Sequence, residues 1–395
     1  MKSFLVKCVL AICITFCCLF YLDMMYEQKT ESPLGEINVF RFIPDDIQIA
    51  NVGSSHGQCD FNWESLTEER GISTFNFALT SQSYEYDYAL INMHQDDFQE
   101  GSLLFIPVSY FSFNREATNP DDIEAISVRY YRLLSPRYNP DYSFYKDLVT
   151  VRFPVLSAGE DIFELLKPPV IFPSLSENRQ NIVYAAESTG GEIGGGEGGD
   201  TAMSSDGSSP ENGADAGNGA VPEENPPEGG DTGQPQGGEA APAEGGAPAE
   251  VPSQSPEEIY GAETVQSFQE KGLARYQRHF ENKAEYFEAD KIQDLINLIE
   301  VCQKKGITPI LITTPFTVYY NQYVSEEFLQ GFYQTIQSVT SAYGVSYYDY
   351  SHDERFQTNL QYFGDADHLN GEGAEWFTGL LMEEIPELKE YLETH

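Results

Sequence analysis

The stretch IQIANVGSSHGQCD, residues 47–60, runs an alternating apolar segment into Gly53-Ser54-Ser55-His56-Gly57. A surface turn has this composition. So does the loop that leaves the carboxyl end of a buried strand and carries a reactive side chain. In a parallel sheet, sites collect where loops leave those carboxyl ends. Glycine relieves the crowding of a sharp turn there.

The surroundings favour a sheet. Periodicity predicts a strand at 46–52, a helix at 63–69, a strand at 74–79 and an aromatic helix, SYEYDYALINMH. SLLFIPVSYF then runs apolar throughout, as a strand covered on both faces does. Further on, an amphipathic helix is expected at 290–305, a strand in ITPILITTP, a helix at 326–343, a strand at 345–350 and a final helix at 371–384. Strands alternating with helices imply a three-layer α/β/α domain with a mostly parallel five-stranded sheet.

Between the two groups of strands, residues 186–256 are rich in Gly, Glu, Pro, Ala and Ser and poor in aromatic and branched apolar residues. Such a segment does not bury enough apolar surface to offset its ordering entropy, so disorder is expected. Three strands precede it and two follow, and neither group makes a comfortable domain alone. The expected organisation is therefore an anchor at 1–30, a first part of one α/β domain at 37–185, an insertion at 186–257 and the second part at 258–395. Residues 121–173, rich in Tyr, Arg and Pro, read as a helical or irregular insertion.

The formal charge is −41 over 395 residues. Residues 186–256 hold 14 acidic residues and no Lys or Arg, leaving −41 + 14 = −27 on the remainder. Nucleic acid, anionic lipid surfaces and polyphosphates are poor partners for such a surface. Of the cysteines, Cys8, Cys13, Cys17 and Cys18 fall at the N-terminus, leaving Cys59 and Cys302, which read as free buried thiols. No cysteine spacing resembles a zinc site, and neither metal nor cofactor is expected. Lys2 and Lys7 precede an uncharged run from Cys8 to Leu22. Phe4, Leu5 and a snorkelling Lys7 extend that run toward bilayer length, which reads as an uncleaved signal-anchor with lysines inside and the body outside.

Two motifs compete for the serine. Gly53-Ser54-Ser55-His56-Gly57 spells the G-x-S-x-G elbow of α/β-hydrolases, but in that fold several strands precede the elbow. Here Ser55 follows the first strand. Near the C-terminus, FGDADHLNGEGAEWF supplies Asp365 and His368 as D-x-x-H, close enough in a tight loop for the aspartate to orient the imidazole. Asp349 and His352 form a second D-x-x-H, which abuts the last expected strand and lacks the sequence context of the first.

In this order, these residues resemble the SGNH (GDSL-like) hydrolase and acyltransferase superfamily. The likeness is to the divergent branch containing the D-alanine-transfer protein of teichoic acid modification and the alginate O-acetyltransferases. The resemblance implies Ser55 as nucleophile and His368 and Asp365 as its partners. It further implies oxyanion or substrate contacts from the second block, where Asn76 and Gln82 match and Ser81 takes the glycine position, and from Ser109, which stands near the third block's asparagine. The Gly-x-Asn-Asp of that block is missing. His56 is expected to touch substrate rather than act as base, because adjacent side chains in an extended turn point apart. His94, His279 and His395 read as surface residues, and Asp367 as a solvated loop carboxylate.

The resemblance implies a membrane-anchored serine O-acyltransferase or esterase. It would act outside the cell on acetyl or D-alanyl-like groups of envelope glycans, with a glycan or polyol acceptor and a membrane acyltransferase as partner. The alternative is a non-catalytic surface scaffold or glycan-binding protein on the same fold.

Overall fold

Every residue from Leu103 to Ile106 is buried, and successive side chains enter two different apolar clusters. Leu104 and Ile106 lie in one cluster and Leu103 and Phe105 in the other. Side chains alternate across a strand, so a run buried on both faces has no position for a polar residue. This is strand β3, Phe98–Pro107, the centre of a sheet that also contains β1 (Ile47–Asn51), β2 (Thr74–Asn76), β4 (Thr308–Thr313) and β5 (Ser346–Asp349). The order is β2-β1-β3-β4-β5, and every pairing is parallel.

The computed structural model of the chain describes residues 2–27, 36–113, 129–143, 255–280 and 287–395. The expected insertion lies outside the described residues except at its end, where Ser255 caps helix Pro256–Tyr260 with a reciprocal capping box. Of the stretch 121–173, only 129–143 is described, opening with a short helical turn. Strands from both sides of the insertion share one sheet, since β3 pairs with β4 from Leu103 opposite Thr308 to Pro107 opposite Ile312.

Helices cover both faces. Tyr84–His94, Ala289–Lys304 and Glu326–Tyr343 pack Ile91, Leu298, Ile299, Phe332 and Ile336 against one. Glu64–Arg70, Ala262–Phe280, Gly371–Glu384 and Pro386–Thr394 bring Leu66, Phe268, Phe377, Leu381 and Leu388 to the other. The fold class expected from sequence is therefore the one observed. Two helices escaped the sequence reading: Ala262–Phe280, and Pro386–Thr394 beyond the expected last helix.

Helix Lys2–Glu27 includes a 23-residue stretch, Ser3–Met25, long and apolar enough to cross a bilayer. At ~1.5 Å per residue that is about 35 Å. At its far end Asp23 is buried and accepts a hydrogen bond from Arg132 Nη2 at 2.7 Å. Cys59 and Cys302 are both free thiols, Cys302 wholly buried.

The overlooked helix Ala262–Phe280 fits because of one glycine. A Cβ at Gly272 would lie 2.1 Å from the Tyr319 carbonyl oxygen, backbone that cannot give way cheaply. Gly379, in helix Gly371–Glu384, has nothing within 4 Å of its Cβ position. Gly272→Ala should therefore destabilise the full chain by about 1–3 kcal/mol through overpacking. Gly379→Ala should be neutral or gain up to about 1 kcal/mol. Urea denaturation in detergent reads both; equal effects would refute the close approach at Gly272.

Candidate active site

The sheet order reverses at β1, whose neighbours are β2 and β3, and ligands in open parallel sheets bind outside the carboxyl ends at such a switch point. Just past β1, Gly53 adopts φ +114°, a conformation L side chains rarely take. Its N–H donates to Asp87 Oδ1 at 2.9 Å. The short helix Ser55–Cys59 then begins at once. It folds back so tightly that a Cβ at Gly57 would lie 2.3 Å from the Val52 carbonyl oxygen. Asn51 and Asn76 both donate to the Gly57 carbonyl, at 2.7 and 2.9 Å, and brace the turn from below.

The histidine arrives on a loop of similar tightness. Phe363 and Leu369 form an antiparallel bridge, and Gly364 N–H donates to the His368 carbonyl at 3.0 Å. Asp365 Oδ1 accepts from the backbone N–H groups of Asp367 and His368 at 3.0 and 2.9 Å. Its Oδ2 lies 2.8 Å from His368 Nδ1. Asn370 then caps helix Gly371–Glu384. One carboxylate thus shapes the loop and orients the ring.

His368 Nε2 lies 2.8 Å from Ser55 Oγ. With Nδ1–H given to Asp365, Nε2 keeps its lone pair for the serine hydroxyl. Residues 313 positions apart are thereby joined into a Ser–His–Asp array. The second D-x-x-H is not: Asp349 accepts from Ser351, and His352 Nδ1 lies 2.9 Å from Ser351 Oγ and 3.3 Å from the Tyr110 hydroxyl.

The other expected contacts divide. Ser81 is the only non-glycine residue with positive φ, +56°, among those described, so the serine keeps the backbone shape of the glycine position it takes. Asn76, Gln82 and Ser109 turn inward. Gln82 Nε2 donates to Asp87 and to the Phe77 carbonyl, and Ser109 Oγ lies 2.6 Å from His56 Nδ1. His56, expected at the substrate, is wholly buried.

Two readings need correcting. Asp367 is not a solvated loop carboxylate; it is 0% exposed. His279 is not a surface residue; its side chain is 10% exposed, and Nδ1 lies 2.7 Å from the Tyr320 hydroxyl. Both join a group that sequence reasoning missed, centred on Arg275 of helix Ala262–Phe280. Arg275 donates to both oxygens of Asp367, Nε at 2.7 Å and Nη2 at 3.0 Å, and Nη2 also lies 3.2 Å from His368 Nε2. Burial alone would push the Asp367 carboxyl up. Arg275, helped by the surrounding imidazoles, overcomes this and holds it well below the usual carboxylate range. Burial and the Arg275 charge together hold His279 well below the ordinary imidazole value, and so neutral.

Two further buried carboxyls hold the two loops in place. Asp87 fixes Gly53, and Asp60 Oδ1 accepts from the N–H of Leu369, the residue after His368, at 2.9 Å. Burial raises each to about 7, against the hydrogen bonds each accepts and, for Asp60, the nearby His56. A carboxyl raised on folding stabilises the fold below its unfolded pKa near 4, and that contribution is lost as pH rises through about 7. The chain should therefore lose stability between about pH 4 and 7, at up to about 1.4 kcal/mol per pH unit per group. Asp87→Asn, which cannot ionise, should show a shallower decline in denaturation measured across that range; an unchanged slope would refute the role of Asp87.

Residues 266–377 match the family model described as DltD protein, the SGNH-like family of teichoic-acid D-alanine transfer that the motifs resemble. The match takes in Arg275, His279, Asp365, Asp367 and His368 and stops short of Ser55. No curated protein matches the chain in sequence. The family places the chain's likeness in D-alanine transfer at the cell envelope, and the apolar N-terminal helix accords with a membrane anchor there.

Proposed function

We propose that this chain is a serine-dependent O-acyltransferase of the cell envelope, anchored by its N-terminal helix with the body outside. The observation that carries the reading is the contact of Ser55 Oγ with His368 Nε2 at 2.8 Å, together with Asp365 at 2.8 Å from Nδ1. His368 takes the Ser55 proton as Ser55 attacks an acyl ester carbonyl. The N–H groups of Ser55 and Ser81 stabilise the oxyanion. His368 returns the proton to the departing oxygen, leaving an acyl-serine. The acceptor hydroxyl then gives its proton to Nε2 and attacks the acyl carbonyl, and as the acyl–Oγ bond breaks His368 returns that proton to Ser55.

The family likeness supports a D-alanyl-like acyl group and a glycan or polyol acceptor, with a membrane acyltransferase delivering the acyl group from across the bilayer. Hydrolysis differs only in the last step, where water replaces the acceptor. The family likeness and the apolar N-terminal helix favour transfer.

A fluorophosphonate probe tests the nucleophile on the full chain in detergent. Wild type should be labelled and Ser55→Ala should not. His368→Ala should slow labelling by about 10³-fold or more, and His352→Ala should leave it unchanged. A folded wild-type chain that resists the probe would instead indicate a non-catalytic scaffold.

A further inference from the structure

Arg275 has more hydrogens to give than Asp367 takes. A guanidinium carries five N–H donors. Asp367 accepts one from Nε at 2.7 Å and one from Nη2 at 3.0 Å. Nη2 has a second hydrogen, and His368 Nε2 lies 3.2 Å away from that nitrogen. Nε2 offers one lone pair, however, and Ser55 Oγ at 2.8 Å is the closer claimant. Two donors face one acceptor, so the guanidinium keeps a hydrogen to give beside the reacting nitrogen. Substrate can reach it there: the Arg275 side chain is 18% exposed and that of His368 12%.

Proton transfer changes the balance. Once Nε2 has taken the serine proton it is itself a donor, and two N–H nitrogens 3.2 Å apart stand side by side. Donors at that separation can share one oxygen, each at an ordinary hydrogen-bond length of about 2.9 Å. In the serine reading such an oxygen comes there twice. It is the departing ester oxygen in the first step and the acceptor hydroxyl in the second, since both exchange a proton with Nε2. Each carries partial negative charge while its bond to the acyl carbon breaks or forms. A cationic donor holds that charge more strongly than it holds the neutral oxygen, which lowers the barrier.

Asp367 suits an arginine to this task. It grips the Nε and Nη2 edge with both oxygens, so the guanidinium plane is fixed before substrate arrives. Burial would lower the pKa of the group, but the Asp367 and Asp365 charges overcome this and raise it. Arg275 therefore donates a hydrogen bond without releasing a proton. His368 alone carries the proton.

We propose that Arg275 is a catalytic residue, whose Nη2 donates to the oxygen that leaves or attacks the acyl carbon. The inference rests on the serine reading above. It differs from a role in which Arg275 only offsets the buried Asp367 charge. The two part on the leaving group, because a donor to the departing oxygen matters most where that oxygen leaves reluctantly.

The test compares phenyl acetate with p-nitrophenyl acetate on the full chain in detergent. The two esters share one acyl group, and the phenyl oxygen is the poorer leaving group. The variant is Arg275→Met combined with Asp367→Asn, which removes both charges and leaves no buried carboxylate unpaired. It should remain labelled by the fluorophosphonate and turn over p-nitrophenyl acetate within about tenfold of wild type. Its kcat/KM for phenyl acetate should fall by about 10²-fold or more, as when one donor to a developing oxyanion is removed. Equal losses on the two esters would overturn the proposal. So would phenyl acetate turnover that Arg275→Met loses and the double variant regains, since Arg275 would then only offset Asp367. Should the double variant not fold, Arg275→Lys carries the same comparison, keeping a cation at Asp367 without the fixed second hydrogen. A wild type inert toward the probe and both esters overturns the serine reading, and this inference with it.

Discussion

A carboxylate taken wholly out of water stays charged only if cations or donors reach it, and Asp367 is such a carboxylate. Meeting that demand draws together parts of the chain that are remote in sequence. Arg275 comes from the helix Ala262–Phe280, His56 from the turn after β1, and Asp367 itself from the loop before the helix Gly371–Glu384. Ser109, after β3, closes the group through His56. The serine turn and the histidine loop are therefore referred to one buried charge. Ser55 and His368 meet at hydrogen-bond distance because the residues beside each of them, His56 and Asp367, are in contact beneath.

The sheet makes this convergence possible. With the order reversing at β1, the loops after β1 and β3 leave adjacent strands at the same edge. β4 and β5 extend that edge and carry the chain to the final loop. Asp87 and Asp60 then pin the two loops by single backbone N–H groups, Gly53 and Leu369. Each of these carboxyls serves best as a hydrogen-bond acceptor with its charge suppressed, unlike Asp367, which is paired with a guanidinium. Burial is similar in all three cases, and the presence or absence of a fixed cation separates them.

What was legible in the sequence follows the same division. The strands were visible because burial on both faces leaves an uninterrupted apolar run, as in β3 and β4. Ser55, Asp365 and His368 were visible because a glycine turn and a D-x-x-H loop are local chemistry. The helix Ala262–Phe280 was not. It buries only Val265, Phe268, Gly272 and Phe280, a stripe too narrow to stand out beside a low-complexity segment. With that helix unseen, Arg275 had no position, and without Arg275 nothing distinguished Asp367 from an ordinary loop carboxylate. His279 was lost for the same reason.

His368 Nε2 is the point where the proposed roles of these residues meet. It has one lone pair and two neighbours with hydrogen to offer, Ser55 Oγ at 2.8 Å and Arg275 Nη2 at 3.2 Å. In the proposed acyl transfer the ring gains a positive charge beside the guanidinium, and two carboxylates offset it. Asp365 does so at 2.8 Å from Nδ1 and Asp367 at 3.8 Å. A site with only the arginine would oppose proton transfer. Keeping both leaves a small negative excess, which favours a transient imidazolium.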